Sequence, residues 1–210
     1  MRVAAISDLH GSLPEIPSCD LLVIAGDLCP VEDHALDFQR RWLEGPFSEW
    51  LGGLDAGSVV GIAGNHDFVA EADPELMRGL PWTYLCDETV DLDPLRIHGS
   101  PWTPTFMEWA FMKDEADLDA VWALIPPDVD VLVTHGPPFG HGDLAVHGLH
   151  VGSDSLAARL SGLERLRLHA FGHIHEGWGS RETDGNTTIA NVSYVDFDYR
   201  PVQPATVFEL

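Results

Sequence analysis

Val3-Ala4-Ala5-Ile6-Ser7-Asp8-Leu9-His10-Gly11 opens the chain with four apolar residues that lead straight into an aspartate and a histidine. The pattern recurs four times. Leu21 to Ala25 is followed by Gly26-Asp27, and Val59 to Ala63 by Gly64-Asn65-His66-Asp67. Val129 to Val133 is followed by Thr134-His135-Gly136, and Leu168 to Phe171 by Gly172-His173-Ile174-His175. Apolar runs of four to six residues bounded by Gly, Asp or Pro read as buried strands. Ligands of open α/β sheets bind beyond the carboxyl ends of strands. Five such ends side by side would gather seven metal-ligand side chains in one crevice.

The stretches between the strands read as helices. Phe47, Trp50, Leu51 and Leu54 fall at helical spacing, with Pro46 placed for the first turn. Leu118, Val121, Trp122 and Ile125 repeat that spacing behind a capping Asp114, and a third helix is predicted from Ser153 to about Leu160. Trp178 to Thr183 and Thr187 to Val192 flank Asp184-Gly185 as a hairpin, and Thr206 to Leu210 reads as a last strand. Alternating strands and helices followed by hairpins predict a layered α/β fold, with sheets at the centre and helices outside. At 210 residues the chain fits a single domain spanning 1–210, able to bury about 70% of its unfolded surface.

Composition narrows the partners. A net charge of −23, with Lys113 the sole lysine, repels long nucleic acids and anionic membranes. Such acidity suits a high-salt medium or serves solubility. No apolar run approaches the roughly 20 residues of a membrane span, and the N-terminal apolar run is too short for a signal peptide. Cys19, Cys29 and Cys86 are far apart and odd in number, so they read as reduced thiols of a cytoplasmic protein. The oligomeric state stays open.

The residue types specify a chemistry. In Asp8-x-His10 and His173-x-His175 an extended backbone would aim both side chains of each pair the same way. Imidazoles mixed with carboxylates suit two divalent transition ions, manganese foremost, with iron, zinc or nickel as alternatives. Two carboxylates, Asp8 and Asp27, against two divalent ions leave a surplus near +2. That surplus attracts phosphate and acidifies a water lying between the ions toward a pKa of about 7.

In this combination the sequence resembles the calcineurin-like metallophosphoesterases. Their signature is Asp-x-His, Gly-Asp, Gly-Asn-His-(Asp/Glu), a His-Gly or similar, and Gly-His-x-His. Here these are Asp8/His10, Gly26/Asp27, Gly64 to Asp67, His135/Gly136 and Gly172 to His175. Within that superfamily the chain is similar to the metallophosphoesterase-domain-containing branch, through Gly99 to Phe106, Thr134 to Pro138 and Gly172 to Gly177. The resemblance implies a four-layer αββα sandwich with two central mixed sheets flanked by helices. It implies that Asp8, His10, Asp27 and His175 hold one ion and Asp27, Asn65, His135 and His173 the other, with Asp27 bridging. His66 would protonate or stabilise the leaving oxygen. The implied substrates are cyclic nucleotides and other small phosphodiesters. Protein phosphatases of the superfamily carry Gly-Asp-x-x-Asp-Arg-Gly, whereas this chain reads Gly26-Asp27-Leu28-Cys29-Pro30-Val31-Glu32, which speaks against that role.

Trp102, Phe106, Trp109 and Phe111 cluster in a Pro-rich loop. They read first as a hydrophobic cap and second as a wall that stacks a nucleobase, with Trp102 and Phe106 the substrate-binding candidates. His141, just after the His135 loop, is a third such candidate. His34 and the other remaining histidines read as surface or packing residues. A phosphomonoesterase or nuclease with the same centre, and a scaffold protein that kept the fold and lost catalysis, are the alternative functions.

Overall fold

The computed structural model describes residues 1–210. Its strands are β1 (Arg2–Ile6), β2 (Cys19–Ala25), β3 (Ala56–Ile62), β4 (Thr83–Tyr84), β5 (Glu88–Leu92), β6 (Leu95–Ser100), β7 (Thr103–Pro104), β8 (Met112–Lys113), β9 (Val131–Thr134), β10 (Leu168–Phe171), β11 (Arg181–Asp184), β12 (Thr187–Asn191) and β13 (Thr206–Glu209). One sheet has the order β13-β1-β2-β3-β4, the other β11-β12-β10-β9-β6-β5. Each is parallel at its centre and antiparallel at an edge, where β13 runs against β1 and the β5–β6 and β11–β12 hairpins close the second sheet.

The strands alternate between two cores, which is what a period of two requires. Val3, Ala5, Leu21 and Val23 face Val131, Val133, Leu168 and Ala170 across the space between the sheets. Ala4, Ile6, Leu22 and Ile24 point the other way, against Leu43, Phe47, Leu51, Val69 and Met77. Those residues belong to a π-helical turn (Leu43–Phe47) that continues α1 (Leu36–Trp42), and to α2 (Ser48–Gly52), α3 (Phe68–Ala72) and α4 (Pro74–Arg78). On the far side, Leu132 packs with Leu118, Trp122 and Leu156 of α5 (Glu115–Trp122) and α6 (Asp154–Leu160). The result is a four-layer αββα sandwich. No helix is long and apolar enough to cross a membrane.

Several details differ from the sequence reading. The helix expected to start at Pro46 starts at Leu36, and Pro46 lies inside the π-helical turn. Proline has no N–H to donate and its ring displaces the carbonyl one turn back, and a wider turn absorbs both effects. Asp114 precedes α5 without a side-chain cap bond, whereas Ser153 does cap α6 through the Leu156 N–H. The β5–β6 hairpin has no continuous apolar run. Leu95 and Ile97 face the core while Arg96 and His98 alternate with them, so a search for unbroken runs passes it over.

The five expected strand ends meet at one rim because the two sheets share the inner core. Ser7 and Ser193 form a bridge between backbones there, and the Gly172 N–H donates to His135 O at 3.0 Å. The outer helix pair tests how cooperatively the layers fold. Trp122 is buried, and its indole donates to Ser153 Oγ at 3.2 Å. Trp122→Ala should lower stability by about 3–5 kcal/mol, read as a shift of the urea unfolding midpoint at unchanged slope. A negligible shift would mean that α5 and α6 are not part of the cooperative unit.

Candidate metal centre

The ligand loops do not continue the strands in extended form. Asp8, His10, Asp27 and His173 have φ of 55°, 44°, 53° and 66°, so the aligned, extended Asp-x-His and His-x-His pairs expected from sequence are replaced by left-handed turns. Asp and His tolerate this region better than most residues, yet each such turn costs on the order of 1–3 kcal/mol. The surrounding contacts hold them there. The Asp8 N–H donates to Gly26 O at 3.0 Å and the His10 N–H to Asp27 O at 2.9 Å. Asp67 knots the loops together, its carboxylate accepting from the N–H groups of Leu28, Cys29 and Gly64 at 2.8–3.1 Å. Gly64 and Gly172 are required by closeness. A Cβ on Gly64 would lie 2.6 Å from His135 Cε1 and against the Asp27 carboxylate, and one on Gly172 would meet Asp8 and Ser7.

All seven expected ligands converge on this rim. His10 Nε2 and His175 Nε2 are 3.1 Å apart, with Asp8 Oδ1 3.6 Å from His175 Nε2. On the other side, His135 Nε2 is 2.9 Å from Asn65 Oδ1, and the His173 ring centroid is 5.1 Å from that of His135. Asp27 Oδ2 lies between these groups, 3.7 Å from His10 Nε2 and 3.4 Å from His135 Nε2. Three clusters, Asp8/His10/His175, His10/Asp27/His66 and Asp8/Asp27/His135, each bring their ligand atoms within 4.8 Å of one another. Their partners orient them, as outer contacts do for metal ligands. The His135 Nδ1–H donates to Ala25 O at 2.8 Å, which turns Nε2 toward the cluster. Asp8 accepts from Ser193 Oγ at 2.6 Å, and Asp27 Oδ1 from the His66 N–H at 2.8 Å.

The electrostatics fit a divalent cation. Burial alone would raise the Asp8 and Asp27 carboxyls, but the imidazoles around them hold both well below the usual range. Desolvation would lower His135, yet Asp27 beside it drives the ring up to about 9. Burial pushes His10 down to about 4 and His173 to about 3, so these rings are neutral lone-pair donors at neutral pH. Two buried carboxylates thus draw positive charge into a cluster of imidazoles of which His10 and His173 are neutral, a mixed carboxylate and imidazole donor set of the kind expected for transition ions.

His66 stands at the mouth. Its Nδ1 is 3.1 Å from His34 Nε2, its ring lies edge-on to Trp109 at 3.9 Å between centroids, and Gln39 Nε2 donates to its carbonyl at 2.6 Å. Phe106 lies 5.4 Å from the His173 ring, centroid to centroid, and lines a crevice of about 320 Å³ over the ligand cluster. Trp102 does not line it. Its indole donates to Asp87 at 2.8 Å and its ring is capped by Lys113, so it packs beneath the loop. His141 also lies elsewhere, paired with Glu182 at 2.8 Å. His34, Trp109, Phe197 and Tyr199 were not singled out as site residues by sequence. None sits in a motif, and only Trp109, in the aromatic loop, had any signal to find it.

A model of the calcineurin-like phosphoesterases matches residues 1–177, and the chain belongs to that family. It is 34% identical to metallophosphoesterase domain-containing protein 1 of Homo sapiens over 239 aligned positions, which cover all of this chain and 71% of the relative. A UPF0046 protein of Caenorhabditis elegans is 32% identical over 91% of this chain and 55% of its own length. Among solved structures, a dimetal phosphatase from Danio rerio superposes with a TM-score of 0.57 at 14% identity, covering 91% of this chain and 88% of its own. That likeness is one of fold.

The position of Asp27 Oδ2 between the two groups generates a prediction. Protein purified without chelator should carry up to two transition ions per chain, and Asp27→Ala should lose most of both. Elemental analysis finding undiminished metal in Asp27→Ala would contradict the shared role.

Proposed function

We propose that the chain is a dinuclear, cytoplasmic phosphodiesterase that hydrolyses cyclic nucleotides or other small phosphodiesters, with manganese as its working metal. The observation that carries this reading is the lining of the crevice. Phe106, Met107, Trp109, Phe197 and Tyr199 stand around the ligand cluster, with no Lys or Arg among the lining residues. A monoester brings two negative charges to phosphorus and gains from fixed cations, Arg above all. A diester brings one charge and a second ester group that an apolar wall can accept. The segment after Asp27 supports the same choice, since Leu28 to Glu32 contains no Arg.

Asp8, His10, Asp27 and His175 would hold one ion, and Asp27, Asn65, His135 and His173 the other. Bound there, two divalent ions supply Lewis-acid charge and a water acidified toward neutral pH. The protein's own part is orientation and proton handling. Asp27 Oδ2 keeps the two halves in fixed relation, and the His135–Ala25 hydrogen bond fixes the ring that faces it. His66 uses Nδ1 toward His34, which leaves Nε2 for the crevice. As imidazolium, His66 would donate Nδ1–H to His34 Nε2 and carry a second proton on Nε2 for the departing oxygen, which would leave the ring as neutral imidazole. Trp109, edge-on to the ring, keeps it from swinging away.

With manganese, kcat/KM for 2′,3′- or 3′,5′-cyclic AMP should exceed that for AMP, and comparable values would sink the diesterase reading. In the same assay His66→Ala should retain its metal and lose about 10²–10⁴-fold on the cyclic nucleotide. It should lose distinctly less on bis(p-nitrophenyl) phosphate, whose nitrophenolate leaves without a proton. An equal loss on both would make His66 a group that positions phosphate.

A further inference from the structure

We infer that residues 195–201 form the second wall of an aromatic slot, and that the ester group this site selects is a flat ring. The inference rests on the phosphoesterase reading above and deepens it. Two aromatic walls stand over different halves of the ligand cluster. The first belongs to the loop closed at its base by β7 and β8. Phe106 stacks on Trp109 at 6.2 Å between centroids, and the two rings face His173 and His66. The second comes from the far end of the chain. Tyr199 lies 4.8 Å from the His10 ring and 5.2 Å from the His175 ring, both edge-on, and Phe197 lines the same crevice beside it.

Tyr199 is held in place at a cost. Its φ is 60°, a conformation that bulky side chains rarely adopt and that marks strain maintained by its surroundings. A clip maintains it. Asp196 accepts from the N–H groups of Asp198 and Arg200 at 3.0 Å, the Arg200 guanidinium donates back to Asp196 at 3.1 Å, and Val195 bridges Pro201. The clip ties up the arginine of this loop and turns two aromatic rings outward, Phe197 at 56% and Tyr199 at 43% exposure. Apolar rings left exposed around a nest of metal ligands serve a partner surface that is itself apolar and flat. A crevice lined by aromatic rings from two separate loops and by no Lys or Arg takes a planar ring by stacking and leaves the phosphate to the ligand cluster. Such a ring comes either from a nucleobase or from a simple aryl ester.

The test separates ring recognition from catalysis. On manganese-loaded protein, isothermal titration calorimetry would compare AMP, phenyl phosphate and ribose 5-phosphate, which share a phosphate and differ in the ring. Stacking predicts that a ring-bearing ligand binds about 5- to 150-fold more tightly than ribose 5-phosphate. Tighter AMP identifies a nucleobase as the ring, and tighter phenyl phosphate an aryl group set directly on the ester. Tyr199→Ala and Phe106→Ala should each bring the ring-bearing ligand toward the affinity of ribose 5-phosphate, which should itself be unchanged. Tyr199→Phe should retain the preference. If neither ring-bearing ligand binds more tightly than ribose 5-phosphate, or if Tyr199→Ala leaves the preference intact, the slot is overturned. Failure of the diesterase reading would instead appear as absent or unselective hydrolysis, with the binding preference untouched.

Discussion

Asp8 and Asp27 leave two neighbouring strands of the first sheet and end buried, with their oxygens within 4.8 Å of each other and of a ring nitrogen of His135. Two like charges at that separation repel by about 3 kcal/mol at an effective dielectric of 20. Removing each from water costs several kcal/mol more. Neutral His10 and His173 cannot offset that charge, and the protein alone answers it by raising, against burial, His135 beside Asp27 and His175 beside Asp8. Divalent ions answer it better. The rest of the rim serves this constraint: Ser193 and the His173 N–H on Asp8, the His66 N–H on Asp27, and the Ala25 carbonyl on His135.

The sandwich makes such a concentration of charge affordable. A shared inner core of Val, Ala, Leu and Ile from both sheets fixes the distance between the ends of β1–β3 and those of β9 and β10. Packed cores resist sliding, so the ligand loops inherit a rigid base. The local strain of left-handed Asp8, His10, Asp27 and His173 is then carried by a frame that does not relax with it. Asp67, itself raised to about 6 by burial and by Asp27, spends its carboxylate on three loop N–H groups, joining the Asp27 and Asn65 turns from behind.

Much of this arrangement was legible in the sequence, because fully buried parallel strands read as unbroken apolar runs and their ends carry ligand-type residues. Leu168–Phe171 needs no adjustment and Val3–Ile6 only one residue. The β5–β6 hairpin was not legible, because its inward residues alternate with polar ones at a sheet edge. Nor were the left-handed turns, since Asp and His are compatible with extended and left-handed backbone alike. His34 reaches His66 only through the fold, and Tyr199 and Phe197 approach the rim from a segment with no periodicity and no motif. Trp102 and Phe106 share a loop that local sequence cannot divide. One turns down onto Asp87 and the other up to the crevice.

A shared carboxylate between two ions is the centre of this account, and it has a magnetic signature that simple occupancy does not. Electron paramagnetic resonance of the chain titrated with Mn(II) reads it directly. At two equivalents the spectrum should be that of a spin-coupled pair, replacing the signal of isolated ions. Saturation at one equivalent, or two ions whose signals stay those of isolated Mn(II), would contradict the proposed bridging role of Asp27.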